Sequence, residues 1–564
     1  MKQTKNFYVA DFETTAKENE TKVYLWAVVR NGDYKTSYGK NIEGFFDFID
    51  DFKSPQKIYF HNLKFDGSFI LWYILHNIGG KWNEKPKRKY EFSTMINDTG
   101  VFYKIVYINK HNKRITFLDS LKIIPLPVSK ISSFVGIEET KEKINHNLDR
   151  WNNYEPTEQE KHYCYIDCLI VCKALEKLKE LNVNGMTISG SALTDFRNKI
   201  NYFRFTEMYN KMTLEIDAQI RTSYKGGFCY LNPEYIEKDI KNGSVIDVNS
   251  LYPSVMHDCL LPYGEPLYFE GEPQKIRTLP LYIISINVSF RLKENHLPTI
   301  QLKHSIFFKS NEFINSSNGK IIQLTLTSVD FELFKEHYYI DFIEYNCGYY
   351  FHGENKNFRE YIEFWTSQKI KGKEQGNICL YMTSKLMMNS LYGKFASSPF
   401  GQSKKPVIKD GVLYYENMEV EEHKLYYIPV ASFITAYARF KTITTAQKIY
   451  EQKMNNGKSY YIYSDTDSIH FINGCDLSGI EIDDYKLGAW KIEETFLQGR
   501  YLRQKTYIHK NGKELKITAC GMPESCYEYV TFENFHIGRS FKGKLIPRQV
   551  NGGVKLCDTE FTIR

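Results

Sequence analysis

The chain has 564 residues, a formal net charge of +7 and 25% charged residues, and 15% of it is aromatic. That length supports several cores, and the modest positive charge permits nucleic-acid binding without demanding it. Three classes are excluded: there is no apolar run of transmembrane length, no low-complexity tract, and no C-x-x-C pair among the 11 cysteines to build a disulfide framework.

Taken in chain order, the N-terminus "MKQTKNFYVADFETT" lacks an apolar h-region, so no secretory leader is expected, and the scattered cysteines point to a reducing compartment. "NFYVADFE" alternates as a strand, which puts Asp11 and Glu13 on one face. In "YFHNLKFDGSF", Asn62 and Asp66 flank a polar loop, where Asp66 has the simple reading of a turn residue before Gly67. "EQEKHYCYIDCLIVCKALEKLKEL" is a long amphipathic helix, with Tyr163 and Asp167 one turn apart on one face. Cys164, Cys168 and Cys172 form a stripe on it that suits packing better than zinc. "NVNGMTISGSA" (182–192) reads as a boundary.

"SVIDVNSLYPSVM" predicts a strand ending at Asp247, a turn, and a helix with Pro253 in its first turn. Asp247 could equally be a helix N-cap. Residues 262–357 show short strand patterns and little helix. Residues 358–396 predict two helices joined by "KGKEQGN", and Lys385, Asn389 and Tyr392 share one face of the second. Residues 399–424 predict a hairpin with a Lys-rich turn, and 431–453 a helix. "YYIYSDTDSIHF" (460–471) predicts a hairpin whose turn carries Asp465 and Asp467, either as plain turn residues or as a cation site. The last forty residues predict short strands, with "NGG" (551–553) as a turn.

Four carboxylates at these N-terminal spacings can hold two divalent ions that activate a water for phosphodiester cleavage, with a tyrosine to orient it. A lysine on a rigid helix suits a triphosphate, and an aromatic beside a sugar can exclude the wrong one by shape. Tyrosines beside cations, as in "YKGG" (224–227) and "KTY" (505–507), suit single-stranded nucleic acid and also ordinary strands.

DxE, Nx3D and Yx3D, followed by "DVNSLYP", "KLMMNSLYGK" and "YSDTDS", resemble in this order the exonuclease and polymerase motifs of family B DNA polymerases. The resemblance implies an α+β and α/β multidomain protein, with a ribonuclease-H-like 3′–5′ exonuclease domain and a right-hand polymerase of palm, fingers and thumb. It further implies that Asp11, Glu13, Asp66 and Asp167 ligate exonuclease metals, with Tyr163 orienting the water. Lys141 or its rival Lys143 is implied as the catalytic lysine. Thr14, Tyr59, His61, Asn62, Phe65, Ser120 and Leu121 match positions that hold a single-stranded 3′ end. Asp247, the adjacent Val248 and Asp467 are implied to bind two Mg²⁺ ions, for which Mn²⁺ can substitute, and Asp465 is a partner in the same turn. Tyr252, with Ser250 and Leu251 before it, matches the gate against a 2′-OH. Lys385 matches a triphosphate ligand, and Asn389 and Tyr392 line the nascent pair. Lys505 and Tyr507 match the primer-terminus motif, and Tyr224, Gly226 and Gly227 a linker that passes DNA between sites.

The short chain, with extra segments at 261–357 and 397–426, is similar to the protein-primed branch found in small tailed phages of the phi-29 type. The implied layout is an exonuclease domain (1–187), palm (188–260 and 427–523), terminal-protein-contacting insertion (261–357), fingers (358–396), strand-displacement insertion (397–426) and thumb (524–564). The implied partners are template and primer DNA, dNTPs, a terminal protein whose hydroxyl primes synthesis and a single-stranded-DNA-binding protein, in the cytoplasm of an infected bacterium and with no membrane. One turn before Lys385 the phage pattern offers a further phosphate-binding lysine; this chain has Tyr381, leaving Lys371 and Lys373 to supply charge. Two other readings compete: a replication-associated exonuclease or DNA-binding protein with an inactive polymerase half, and a non-catalytic scaffold.

Overall fold

The computed structural model describes residues 6–136, 148–151, 154–209, 212–301 and 313–564. The N-terminal part is built on an eight-stranded sheet. Its central strand Tyr8–Ala16 runs antiparallel to Thr21–Arg30 and parallel to Gln56–Phe60, which in turn pairs in parallel with Arg114–Asp119. One antiparallel neighbour within an otherwise parallel centre is the expected ribonuclease-H-like arrangement. "TKVYLWAVVR" is apolar almost throughout and is buried on both faces. Helix Glu158–Glu180 covers one face and starts at a capping box between Thr157 and Glu160. Cys164, Cys168 and Cys172 are all buried on its packed side, and the core around them continues into the helices of the polymerase half.

The second sheet is antiparallel and has seven strands, in the order Glu514–Ala519, Thr506–Asn511, Trp490–Arg503, Asp239–Val248, Ser468–Ile472, Tyr461–Asp465, Cys229–Leu231. Helix Ile428–Tyr450, buried along most of its length, and helix Leu251–Asp258 pack together beside it. Helices Lys356–Glu374 and Ile378–Phe395 form an antiparallel pair; "KGKE" belongs to the first of them, so the joint is shorter than the sequence predicts.

Several expectations need correction. Residues 262–357 hold long strands rather than short ones: Leu261–Glu270, Leu281–Leu292, Ile322–Thr327 and the seventeen-residue Tyr338–Glu354 form one four-stranded sheet. They also hold the helix Ser328–His337, capped by Thr327. The strand Tyr338–Glu354 runs straight through "NCG" because Gly348 leaves room for its neighbours. A Cβ there would sit 2.4 Å from the Ile283 carbonyl oxygen and 2.5 Å from the Phe269 ring. In the hairpin Phe400–Lys409/Val412–Glu422, the turn is Asp410–Gly411, with both φ angles positive, and the lysines lie on the strand. The C-terminal segment is one long hairpin, Ser540–Val550/Gly553–Thr562. Its turn residue Asn551 forms bridges to Glu20 and to Val412. The two hairpins and the N-terminal sheet therefore close on one another at this turn.

Candidate active sites

In the N-terminal sheet, Asp11 and Glu13 lie on one strand face, as alternation requires. Asp66 is not on a loop. Asn62 adopts a left-handed conformation (φ 74°) before helix Leu63–His76, and Asp66 falls in the first helical turn, 3% exposed. Burial first, then the charge of Asp11, pushes the Asp66 carboxyl well above the usual range. One of its oxygens, Oδ1, is buried with no hydrogen-bond partner. A buried, unpaired acceptor among carboxylates fits a cation that bridges them. Asp167 and Tyr163 are buried on the covering helix. The Cys164 thiol reaches the same place, since one ligand atom each of Asp11, Glu13 and Cys164 lie within 4.8 Å of one another.

Beside these acids, His61 Nδ1 lies 3.0 Å from Ser120 Oγ, and Nε2 lies 2.8 Å from the Leu126 carbonyl oxygen. Asp119, absent from the motif reading, accepts from the backbone N–H groups of Asn62 (3.1 Å) and Leu121 (3.0 Å) and so joins the two segments. Asn62 is exposed, and Thr14, His61, Phe65 and Leu121 are half-buried, so this surface is open to a ligand. Tyr59 differs: it is 6% exposed, packed edge-on against Phe7 with Lys179 over its ring, and the structure does not bring it to the open face. Lys141 and Lys143 lie outside the described residues.

The second constellation forms at one end of the antiparallel sheet. Asp247 pairs with Ser468 across one ladder and with Lys491 across the other. The Val248 N–H donates to the Asp467 carbonyl (2.8 Å), which fixes the hairpin tip beside the end of the Asp247 strand. Burial, then Asp467 and Glu493, push the Asp247 carboxyl up to about 7, against the opposing pull of Lys491 and Lys385. Burial also raises Asp467, as do Asp465 and Glu493. The two hairpin aspartates are not equivalent. Asp465 is ion-paired with Lys505 and accepts from the Tyr463 hydroxyl (3.2 Å). Among the described residues Asp467 makes no such pair, and its charge acts on Asp247.

Thr466, at the tip, is held at φ 61°. Its N–H donates to the Phe228 carbonyl (2.7 Å), and its carbonyl accepts from the Thr442 hydroxyl (2.7 Å). Gly227 is pressed against it, so that a Cβ there would lie 2.6–2.9 Å from the Thr466 side chain. Gly227 is thus required by the hairpin, whereas Gly226 borders open space. Arg439 donates to the Lys225 and Gly226 carbonyls (2.8 Å each) and holds this linker, in which Tyr224 is half-buried. Tyr507 packs against Tyr501 and Tyr463 beneath Lys505.

Ser250, at φ 59°, turns the chain into helix Leu251–Asp258. Tyr252 stacks on Tyr392 with ring centroids 4.3 Å apart. The side chains of Val248 and Leu251 are buried, so only their backbone is available to a ligand. Lys385 and Asn389 are exposed on the face that also carries Tyr392. Lys371 and Lys373 point to solvent, and Lys373 lies over the exposed Tyr485 ring. The lysine of that helix that turns inward is Lys369, one turn from the buried Trp365. Its ammonium is depressed by burial and then by Lys385, Lys491 and Lys373. The motif reading missed Lys369, Lys491 and Glu493. Helical spacing from Trp365 could have found the first; no sequence signal marks the others.

The comparisons agree with this architecture. Residues 135–481 match the family model for DNA polymerase type B, organellar and viral. The DNA polymerase of Bacillus phage B103 is 38% identical over 587 residues, covering 99% of this chain and all of that one. The solved structure of phi29 DNA polymerase complexed with primer-template DNA and incoming nucleotide substrates superimposes with a TM-score of 0.92 at 36% identity, covering 99% of this chain and 100% of that one. The structure of phi29 DNA polymerase complexed with single-stranded DNA gives 0.90 at 35% identity, with the same coverage. A DNA polymerase fold matched from end to end, around carboxylates at both expected places, makes this chain a member of the organellar and viral type B DNA polymerases, of the phi29-like phage group.

Proposed function

We propose that this polymerase copies a linear viral genome from a DNA template, starting on the hydroxyl of a terminal protein, displacing the non-template strand, and removing mispaired 3′ ends at its N-terminal carboxylates. The observation that carries this reading is the pair of separate carboxylate centres, one on each large sheet. Proofreading needs a hydrolytic site distinct from the one that extends.

In the polymerase centre, Asp247 and Asp467 would hold two divalent ions, Mg²⁺ with Mn²⁺ able to substitute, and the Val248 carbonyl is available beside them. Such ions supply positive charge to the attacking and leaving oxygens. Asp465, committed to Lys505, orients the turn. Tyr252 on Tyr392 closes the sugar's place to a 2′-OH, and Ser250 and Leu251 set its helix. Lys385 and Lys369 face the triphosphate, and Asn389 lines the nascent pair. Lys505 and Tyr507 would meet the primer end, and Tyr224, Gly226 and Gly227 the template path.

In the proofreading centre, Asp11, Glu13, Asp66 and Asp167 would hold the ions and Tyr163 would place the water, while Thr14, His61, Asn62, Phe65 and Leu121 hold the frayed end and the buried Ser120 positions His61. Residues 1–187 would be the exonuclease domain, 188–260 and 427–523 the palm, 358–396 the fingers and 524–564 the thumb. The segment 261–357 would contact the terminal protein, and the hairpin within 397–426 would part the strands. The setting would be the cytoplasm of an infected bacterium, alongside a single-stranded-DNA-binding protein.

The test is Mg²⁺-dependent primer extension, together with nucleotide transfer onto purified terminal protein. Asp467→Ala should abolish both. Extension that survived Asp467→Ala would overturn the site, and a wild type that extends DNA primers but never labels terminal protein would overturn protein priming.

A further inference from the structure

Lys491 has no role in the motifs, yet it sits at the chemical centre of the palm. It lies directly opposite Asp247 on the neighbouring strand, so the two side chains share a face, and its ammonium is 3.8 Å from Asp247 Oδ1. Two more lysines converge on it from the helical pair. Lys369 is half-buried with its ammonium 5.9 Å from the Tyr381 ring centre, and the charges acting on it most strongly are Lys385, Lys491 and Lys373. Lys385 and Lys491 both act on Asp247. Lysines from three elements (strand Trp490–Arg503 and helices Lys356–Glu374 and Ile378–Phe395) therefore crowd one cleft.

Gathering like charges at a partly buried place is unfavourable unless a polyanion joins them. Asp247, Asp467 and Glu493 stand together on the palm side, whereas the charges that act most strongly on Lys369 are all lysines. The helix face ahead of Lys385 offers Tyr381 and no further cation. From the sheet side, Lys505 is committed to Asp465, and Lys491 is the lysine that reaches Asp247.

We propose that Lys491 is a third phosphate-binding cation of the nucleotide site: on nucleotide entry its ammonium exchanges Asp247 for the triphosphate tail, and it stays with the pyrophosphate as that leaves. The inference rests on the polymerase reading above. The palm would thereby grip the tail from the side opposite the helices, clamping the leaving group between Lys491 and the Lys369–Lys385 pair.

The experiment is single-nucleotide incorporation and its reversal by pyrophosphate, for the wild type, Lys491→Met, Lys491→Arg and Lys385→Met, each across a Mg²⁺ titration. Degradation of a single-stranded oligonucleotide serves as the folding control. Loss of one charge-assisted contact predicts a rise of about tenfold in KM for dNTP in Lys491→Met. KM for pyrophosphate should rise alongside it, and Lys491→Arg should restore most of the affinity. If both KM values stay put and only the Mg²⁺ requirement falls, Lys491 is merely the counter-ion of Asp247 and the proposal is overturned. If Lys385→Met also leaves KM for dNTP unchanged, the triphosphate does not lie at this cluster, and the polymerase-site reading falls with the proposal.

Discussion

Asp247→Asn should make the metal-free protein more stable while abolishing polymerisation. Asparagine keeps the shape and removes the charge. The Asp247 carboxyl is raised from 3.8 to about 7, by burial first and then by Asp467 and Glu493. At about 1.4 kcal/mol per tenfold change in acid constant, ionising it in the folded protein costs up to about 4 kcal/mol. Its side chain is 21% exposed and Asp467 shares the repulsion, so about 2 kcal/mol is the working figure. The sign follows from linkage. The folded state holds this proton more tightly than the unfolded chain, so stability falls as pH rises from about 4 to about 7, and the penalty is complete above that. In EDTA at pH 8, melting followed by intrinsic fluorescence should place Asp247→Asn a few degrees above the wild type. The gap should narrow as pH is lowered from 7 toward 4. Mg²⁺ should raise the melting temperature of the wild type more than that of the variant. A variant melting below the wild type in EDTA at pH 8 would mean that Lys491 and Lys385 already satisfy the carboxylate, and the repulsion argument would fail.

Asp11→Ala should remove 3′ degradation of a single-stranded oligonucleotide and leave primer extension within about twofold, because the two centres stand on different sheets; gel assays of both activities check this. Gly227→Ala should displace the Thr466 tip and cut the polymerisation rate by about a hundredfold, the scale of a 1 Å misplacement. The double variant with Thr466→Gly, which removes the clashing atoms and tolerates φ 61°, should recover much of that loss in single-turnover kinetics. Arg439→Ala strips Asp330 of a buried, two-pronged partner and should cost about 3–5 kcal/mol of local stability. Earlier proteolysis near the YKGG linker, compared with the wild type, is the readout.

What could be read from the sequence was whatever depends on local periodicity. Asp11 and Glu13 share a face because strands repeat every two residues, and Lys385, Asn389 and Tyr392 share one because their spacing matches the helix. The YSDTDS hairpin showed itself as two apolar runs around polar residues. What escaped depends on contacts between distant segments. Glu493 falls where the ladder between Asp239–Val248 and Trp490–Arg503 shifts register, and such a bulge turns a side chain in a direction that no alternation predicts. Gly348 reads as a strand breaker until the Phe269 ring is seen against it. The Thr327–Asp330 cap was visible as T-x-x-D but lay within a segment dominated by strand residues. Asp66 was misplaced onto a loop because "HNLKFDG" has the composition of a turn, while the left-handed Asn62 supplies the whole turn in one residue.

The division of labour between Asp465 and Asp467 follows from how the hairpin is held. A three-residue tip, Asp465–Asp467, bearing two carboxylates would swing apart under its own repulsion if it were free. Here each residue of the tip has its own restraint. Asp465 is neutralised by Lys505 and Tyr463, Thr466 is wedged beneath Gly227 and tied to Phe228 and Thr442, and the Asp467 carbonyl receives Val248. That leaves the Asp467 carboxylate as the one charge the hairpin presents to Asp247. Thr442 and Arg439 belong to the same helix, Ile428–Tyr450, and Arg439 clasps both Asp330 of the inserted sheet's helix and the carbonyls of the YKGG linker. One buried helix thus joins the insertion, the linker and the tip that carries Asp467. A shift in the insertion has a short, rigid path to the carboxylate pair, along which Arg439 lies together with Gln447, which binds the backbone of Asn295 and Leu297.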